Sequence, residues 1–289
     1  MQKLQPVRTE DRNMLVAVLL TTPVAALHLH SRSEHLLARR LSASHLRRSA
    51  GQPGMIDSPS RPPPTPLPLA PPLPVWLQQA GAMWVSAALL GPLCDGRHSA
   101  HDVLHYNPNS MAGPPWLLEA PGGAPLLETC WWVPVAFGGA GVVLGVAHPL
   151  LDRRWGGGPR PPPGWPTVLV SISCFVLCYE LSGVLAQAAA ASGGAHDYVG
   201  LDLPLLLCAA AIFVGFERSW GGLLMMALLA TIGPVAEIGL INQLHLYAYT
   251  HPDFAGIPSW ITWVYAAGGP ANGALGRQLL HELEEARGK

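Results

Sequence analysis

Three histidines, His98, His101 and His105, stand three and four residues apart in the stretch CDGRHSAHDVLHY. On a helix these spacings place the three imidazoles on one face, an arrangement that suits a transition-metal site. Membrane oxygenases with a di-iron centre use such clusters, but they need several of them on the same side of the bilayer. The other histidines of this half of the chain occur singly, at His148, His196, His245, His251 and His281. We therefore interpret the stretch as a hydrated loop and predict no metal site.

Two acidic residues, Glu180 and Glu237, lie inside long apolar segments. A carboxylate within a membrane is costly unless it is protonated or paired, so both are candidates for function. The plainer interpretation is a hydrogen bond to a neighbouring helix. An alternative function follows from the first interpretation: a polytopic membrane enzyme or transporter that uses Glu180 together with His98, His101 and His105. Because the histidines follow a span and Glu180 lies in the middle of one, we expect no shared site.

The composition of the chain indicates an integral membrane protein. Only 12% of the 289 residues are charged, 49% are hydrophobic, and the mean hydropathy is +0.27. A soluble domain usually has about twice that share of charge. The net charge of −1 gives no basis for nucleic-acid binding. Five cysteines without a CxxC spacing indicate neither a zinc site nor a disulfide framework.

Six apolar stretches are long enough, or nearly so, to cross a bilayer as helices. A soluble helical protein would need polar helix faces, for which too few polar residues are present. We therefore predict an all-α integral membrane protein, a six-helix transmembrane bundle, occupying residues 75–280. The predicted spans are Val75–Leu93, Thr129–Leu151, Pro166–Ala188, Val199–Phe216, Trp220–Ile241 and Ile257–Leu275.

Residues 1–74 form a Pro- and Arg-rich tail that we predict to be disordered. An apolar run, MLVAVLLTTPVAALHL, is short for a span, and an Arg-, Ser- and Leu-rich segment follows it. That composition suits a cytosolic tail, or an organelle targeting segment as the less favoured alternative. The polyproline stretch PSRPPPTPLPLAPPLP then separates the tail from the membrane body. Residues 281–289 are a short cytosolic tail.

The positive charges predict the orientation of the bundle. If the N-terminal tail is cytosolic, sixteen of the seventeen Lys and Arg residues fall on the cytosolic side of the six spans. Only Arg97 falls on the other side. Positive residues are retained on the cytosolic side of membrane proteins, so both termini are predicted to be cytosolic.

Local patterns predict how two spans pack and how the last one begins. GxxxG pairs at Gly141 and Gly145 and at Gly269 and Gly273 favour close helix contacts. The stretch HPDFAGIP reads as a turn before the last span, with Asp253 capping a helix near Ala255–Gly256. Aromatic residues just beyond it are typical anchors at the membrane surface, namely Trp260, Trp263 and Tyr265.

Three blocks of the sequence resemble one family. The first is CWWVPVAFGGAGVVLGVAHPLLDR, from Cys130 to Arg153, and the second is FERSWGG, from Phe216 to Gly222. The third contains YTHPDF, SW, GG and GALGRQL in that order. They resemble the insulin-induced gene protein (Insig) family, and the resemblance runs from about Trp76 to Leu280.

The resemblance implies a specific function. Members of that family are not enzymes and carry no cofactor. They are six-span proteins of the endoplasmic reticulum membrane with both termini in the cytosol. They bind an oxysterol between their helices and retain sterol-sensing-domain proteins, the escort protein Scap and HMG-CoA reductase. The resemblance therefore predicts a sterol-responsive regulator of sterol and lipid synthesis, with a lipid bilayer, an oxysterol and sterol-sensing-domain proteins as its partners.

The resemblance also assigns roles to three residues. Phe175 aligns with a family phenylalanine beside the sterol, and Phe213 falls at a family tryptophan in the same region. Both are predicted sterol-binding residues, in a cavity lined by spans three and four. Glu217 falls where the family has an aspartate that is needed for partner binding, and we expect its carboxylate to face a partner at the membrane surface.

Overall fold

The computed structural model describes residues 73–121, 123, 125–155, 158–193 and 197–288. The predictions about residues 1–72, including the targeting segment and the disorder of the tail, lie outside these described residues. Six helices run through the described part of the chain, which confirms the six-helix prediction. They are α1 Leu73–Ala100, α2 Trp132–Trp155, α3 Trp165–Ala191, α4 Asp202–Phe216, α5 Trp220–Asn242 and α6 Ile261–Gly288.

Three of the helices, α2, α3 and α5, are long and apolar enough to span a membrane by length and composition alone. The helix α4 is apolar but shorter, with 15 residues. Local signals explain where two of these helices begin. Ser219 caps α5, its hydroxyl accepting a hydrogen bond of 2.9 Å from the amide of Gly222. Pro166 lies in the first turn of α3, where its missing N–H removes no helical hydrogen bond.

The helices α1 and α6 differ from the predicted spans. The predicted first span ended at Leu93, but α1 continues through Ala100. The predicted sixth span began at Ile257, whereas α6 begins at Ile261 and continues to Gly288. The prediction that Asp253 caps a helix near Ala255–Gly256 is wrong. Asp253 instead accepts hydrogen bonds from the amide and the hydroxyl of Ser259, at 2.6 and 2.8 Å, in the turn before α6.

Four short strands, which the sequence analysis did not predict, form two antiparallel pairs. The strand β1 (Leu104–Tyr106) pairs with β4 (Tyr247–Tyr249), so that the α1–α2 connection is joined to the α5–α6 connection. The strands β2 (Trp116–Glu119) and β3 (Pro125–Thr129) form a separate two-stranded ribbon. All four lie where α1 ends and α6 begins. We call this end of the bundle the ribbon end, and the opposite end, which contains Arg277, the arginine end.

Small residues allow α1, α2 and α6 to approach closely. A Cβ at Gly145 of α2 would lie 2.5 Å from Met83 Cε of α1, and a Cβ at Gly276 of α6 would lie 2.8 Å from Gly145 Cα. The buried side chain of Gln79 joins all three helices, donating to the carbonyls of Gly145 (3.0 Å) and Gly276 (2.9 Å). The predicted role of Gly145 in helix packing is therefore confirmed.

Candidate functional site

An apolar cavity of about 250 Å³ lies inside the bundle. Five helices contribute to its wall, and most of the lining side chains are aliphatic or aromatic. Four aromatic rings belong to the lining: Phe137 of α2, Phe175 and Tyr179 of α3, and Tyr265 of α6. Cavities of this kind, largely apolar with few polar groups, are typical sites for small lipophilic ligands.

Of the two phenylalanines predicted to bind sterol, one lies in the cavity wall. Phe175 meets Tyr179 edge to face, with ring centroids 6.0 Å apart, and its ring also faces Gly268 of α6. Phe213 is half-buried in α4 and is not among the lining residues. The helix α4 contributes no residue to the wall because it packs against α3 and α6 instead. The sterol-binding roles of Phe175 and Phe213 both remain predictions.

A buried carboxylate, Asp95 of α1, is tied to the cavity wall. It accepts hydrogen bonds from the hydroxyl of Tyr179 at 2.7 Å and from that of Tyr106 at 2.9 Å. Both tyrosines and Asp95 are at most 9% exposed. These bonds compensate for the desolvation of the acidic group and let α1 continue past it. The sequence analysis missed Asp95 because it lies just beyond the apolar run.

Glu237 of α5 is a second buried carboxylate that, like Asp95, accepts hydrogen bonds from two tyrosines, one of which lines the cavity. It accepts hydrogen bonds from Tyr265 of α6 at 2.6 Å and from Tyr249 of β4 at 2.7 Å. The prediction that Glu237 bonds to a neighbouring helix is confirmed.

Tyr265 was predicted as an anchor at the membrane surface, which is wrong, because its hydroxyl is bonded inside the bundle. Trp260 is likewise buried, edge to face with His98 at 5.7 Å, and Trp263 donates to Asp202 at 3.1 Å.

The three spaced histidines do not share a site. His98 is fully buried within α1, stacked on Tyr179 at 4.1 Å and 2.8 Å from the hydroxyl of Ser182. His105 lies in β1 and pairs with Asp102 at 2.7 Å. The prediction of a hydrated loop is therefore wrong for His98, which is buried inside α1. Across the described ranges, no group of three or more His, Cys, Asp or Glu side chains could hold a metal ion.

Glu180 lies in the second half of α3 and binds Arg97 in a bidentate ion pair, at 2.8 and 2.9 Å. It also contacts His101 at 2.8 Å. The expectation that Glu180 is remote from the histidines is therefore wrong for His101. The reason is that α1 extends two turns beyond the predicted span and brings Arg97 and His101 alongside α3. Arg97, the one cation predicted on this side of the membrane, is thus paired within the chain.

A cluster of charged side chains lies buried at the arginine end. Arg277 of α6 binds Asp152 of α2 at 2.5 and 3.0 Å and Glu217 at 2.6 and 3.0 Å. Arg160 adds a hydrogen bond of 2.9 Å to the same Glu217 carboxylate. The residues Asp152, Glu217 and Arg277 are 4%, 1% and 8% exposed. Through these two bidentate ion pairs, the guanidinium of Arg277 joins α6 to α2 and to the connection between α4 and α5.

Glu217 follows α4, and its side chain does not face the membrane surface as the sequence analysis expected. Its carboxylate faces the bundle interior, and Arg218 donates to the carbonyl of Val214 instead of neutralising it. Burial raises the pKa of the Glu217 carboxyl, but hydrogen bonds from Arg277 and the charge of Arg277 leave that pKa below its ordinary value. Its role in partner binding remains a prediction.

Arg277 and Asp152 were missed as functional candidates. Each is a charged residue at the end of an apolar segment, Arg277 in GALGRQL and Asp152 in HPLLDR. That placement is the sequence signal for a buried ion pair. It does not name the partner, because the two residues are 125 positions apart.

Comparisons with known proteins agree with the fold. The chain is 32% identical to "Insulin-induced gene 1 protein" of Danio rerio over 157 residues, 53% of this chain and 58% of that protein. The Homo sapiens protein of the same name is 31% identical over 165 residues, 56% of this chain and 55% of that protein. The chain thus spans less than three fifths of the length of these relatives. No family model matches it.

Two solved structures share the fold. A mycobacterial Insig homologue from Mycobacterium vanbaalenii superimposes with a TM-score of 0.55 at 19% identity, covering 70% of this chain and 93% of that one. A cross-linked trimer of a variant of that homologue gives a TM-score of 0.54 at 20% identity, with the same coverage. These superpositions confirm a multi-pass membrane fold.

Proposed function

Because this chain is a divergent relative of the insulin-induced gene proteins, we propose that it is a sterol-responsive regulatory protein of the endoplasmic reticulum membrane. In this proposal it binds an oxysterol in the cavity and retains or regulates sterol-sensing-domain proteins, a Scap-like escort protein or HMG-CoA reductase. The relatives support a sterol-related regulatory membrane protein. The specific sterol and the partner proteins are part of the proposal, as is a role without catalysis.

The observation that carries the ligand proposal is the apolar cavity with Phe175 in its wall. A sterol presents a large rigid apolar surface, and burying such a surface contributes about 25 cal/mol for each Å² removed from water. The two tyrosines of the lining, Tyr179 and Tyr265, already donate their hydroxyl protons to buried carboxylates. Their phenolic oxygens therefore accept, which suits a ligand that carries a hydroxyl group.

Photolabelling with a photoreactive oxysterol tests the ligand proposal. Phe175→Ala removes an aromatic wall and should lower the competable labelling, while the purified protein stays folded. Phe254→Ala is the matched control, because Phe254 is 66% exposed in the connection before α6 and is not among the lining residues. Equal labelling in both variants, or labelling that unlabelled sterol does not compete, would show that the sterol does not bind in this cavity.

Co-purification from mild detergent, with and without added oxysterol, tests the regulatory proposal. A sterol-sensing-domain protein should be recovered in a sterol-dependent amount. Glu217→Gln keeps the size of the side chain and leaves Arg277 paired with Asp152. If Glu217 serves a partner, this variant should lose the client while its folded yield and sterol labelling are maintained. A fall in folded yield with an unchanged client-to-protein ratio would instead assign Glu217 to the fold.

A further inference from the structure

The ribbon of β2 and β3 carries large apolar side chains that the described part of the chain does not cover. Trp116, Leu117 and Leu118 of β2 are 60%, 60% and 57% exposed. Successive residues of a strand point to opposite faces, so Trp116 and Leu118 lie on one face of β2 and Leu117 on the other, while the exposed Glu119 ends the strand. A ribbon surrounded by water normally keeps polar residues on at least one face. An apolar patch of this kind marks a contact with a membrane or a protein.

The ribbon adjoins helices that also expose apolar side chains. Leu127 of β3 packs against Gly96 of α1, so the ribbon is attached to that helix. Beside it, Leu93 of α1 and Val135 of α2 are 56% and 53% exposed, as expected of residues that face acyl chains. Trp131 follows β3 and directly precedes α2. It is 56% exposed, and its indole donates to the carbonyl of Ala112 at 3.1 Å.

Exposed tryptophans indicate how deep the base of the ribbon lies in the membrane. The helix α2 is bracketed by two exposed indoles, Trp131 immediately before it and Trp155 at its end, the latter 60% exposed. Its 24 residues correspond to a length of about 36 Å. That length matches a hydrocarbon core of roughly 30 Å with part of the headgroup region on each side. Exposed tryptophans concentrate at these two boundaries, so Trp131 places the base of the ribbon at headgroup depth.

The lack of basic residues near the ribbon indicates which kind of membrane contact it makes. Between Arg97 and Arg153 the chain contains no Lys or Arg. Attraction to anionic headgroups, which depends on basic residues, therefore does not operate in this region. The charged side chains of the ribbon are both acidic, Glu119 and Glu128. Its contact with lipid therefore depends on apolar area and indole rings, which interact with zwitterionic lipid.

From these observations we propose that the β2–β3 ribbon lies in the bilayer interface at the ribbon end of the bundle. Trp116, Leu117 and Leu118 then contact headgroups and upper acyl chains. The ribbon is a second, non-helical membrane contact of this chain, and it extends the footprint of α1 and α2 in one leaflet. The proposal requires neither sterol binding nor a partner protein.

A fluorescent label at a single introduced cysteine tests the proposal. The five native cysteines in the described ranges are all buried, so an exposed introduced cysteine reacts first with a maleimide or iodoacetamide form of the dye NBD. The test position is Leu117→Cys. Leu93→Cys on the lipid-facing side of α1 is the positive control, and Asn109→Cys, exposed in the β1–β2 connection, is the aqueous control. Each labelled protein is placed in phosphatidylcholine nanodiscs with one copy per disc.

The expected result is a blue-shifted emission at position 117 that doxyl-labelled lipid quenches nearly as strongly as at position 93. Iodide should quench the label at position 109 but not the one at position 117. Adding phosphatidylserine should leave all three labels unchanged. Iodide quenching at position 117 would show that the ribbon is in water and overturn the proposal. Protection from both iodide and doxyl lipid would also overturn it, because a protein segment would then cover the ribbon.

Discussion

Arg277 and Glu217 form a bidentate ion pair across 60 residues of sequence, with nitrogen–oxygen distances of 2.6 and 3.0 Å. Since the same guanidinium also binds Asp152 in a bidentate manner, two buried carboxylates share Arg277, and Arg160 supplies a second positive charge to Glu217. Removing one member of such a cluster leaves an uncompensated charge, which is usually far more costly than the net gain from the pair. The arginine end of the bundle therefore depends on this residue.

We expect Arg277→Met to lower the free energy of unfolding by about 3–5 kcal/mol, because Asp152 and Glu217 would stay buried without their main counter-ion. Arg153→Met is the matched control. Arg153 pairs with Glu284, which is 39% exposed, and such a partly exposed pair contributes at most about 1 kcal/mol. Thermal unfolding in the same detergent measures both variants. Equal losses would contradict the central role of Arg277.

Glu217 should make stability depend on acidity. Its folded-state pKa lies below its ordinary value because hydrogen bonds and charge from Arg277 outweigh the effect of burial. Its contribution is therefore fully present above the ordinary glutamate pKa of about 4.3 and is lost as the pH falls through the lower folded-state value. The stability difference between the wild type and Glu217→Gln should be constant at neutral pH and shrink in acid. Unfolding midpoints measured across this range check the prediction, and a difference that grows in acid would contradict it.

Gly276→Ala should destabilise the bundle because its Cβ would collide with the backbone of Gly145. Neither backbone is free to move, since both carbonyls bind Gln79. Overpacking of this kind costs about 1–3 kcal/mol. Gly139→Ala in α2 is the control, because a Cβ at Gly139 would meet no other helix within 4 Å. It should be neutral or slightly stabilising. Similar unfolding midpoints for the two variants would show that the helices separate easily.

The proposed orientation predicts the pattern of N-glycosylation in cells. Asp197→Asn combined with Val199→Thr creates an acceptor site in the α3–α4 connection at the ribbon end, where the amide oxygen of Asn can still accept from Gly200. This site should be modified, because the distribution of positive charges predicts that the ribbon end faces the lumen. An acceptor appended after Lys289 should stay unmodified. The reverse pattern would invert the topology, and no modification of either acceptor would argue against the endoplasmic reticulum.

Hydropathy predicted the uniformly apolar helices almost to the residue. The third predicted span, Pro166–Ala188, corresponds to α3 at Trp165–Ala191, and the fifth, Trp220–Ile241, to α5 at Trp220–Asn242. For these helices the hydrophobicity of the segment is sufficient to predict where each helix begins and ends. The resemblance to a known family added the order of the blocks and the choice of Phe175.

What the sequence did not predict depends on partners far away in the chain. The last turns of α1 contain Asp95 and Arg97, which read as the end of a span. They remain helical because Tyr179 and Glu180, more than 80 positions later, satisfy them. The strands β1 and β4 pair across an even longer stretch of sequence. A window of neighbouring residues contains no information about such contacts.

The junction at Gln79 has a consequence for biosynthesis. Its amide belongs to the first helix of the bundle to leave the ribosome, yet it donates to a carbonyl of the last, 197 positions later. Until α6 is inserted, α1 exposes an amide N–H that lipid cannot satisfy. The contact that joins the three helices can therefore be completed only after the last of them has been synthesised. Gln79 gains its second acceptor only when the segment containing Gly276 enters the bundle.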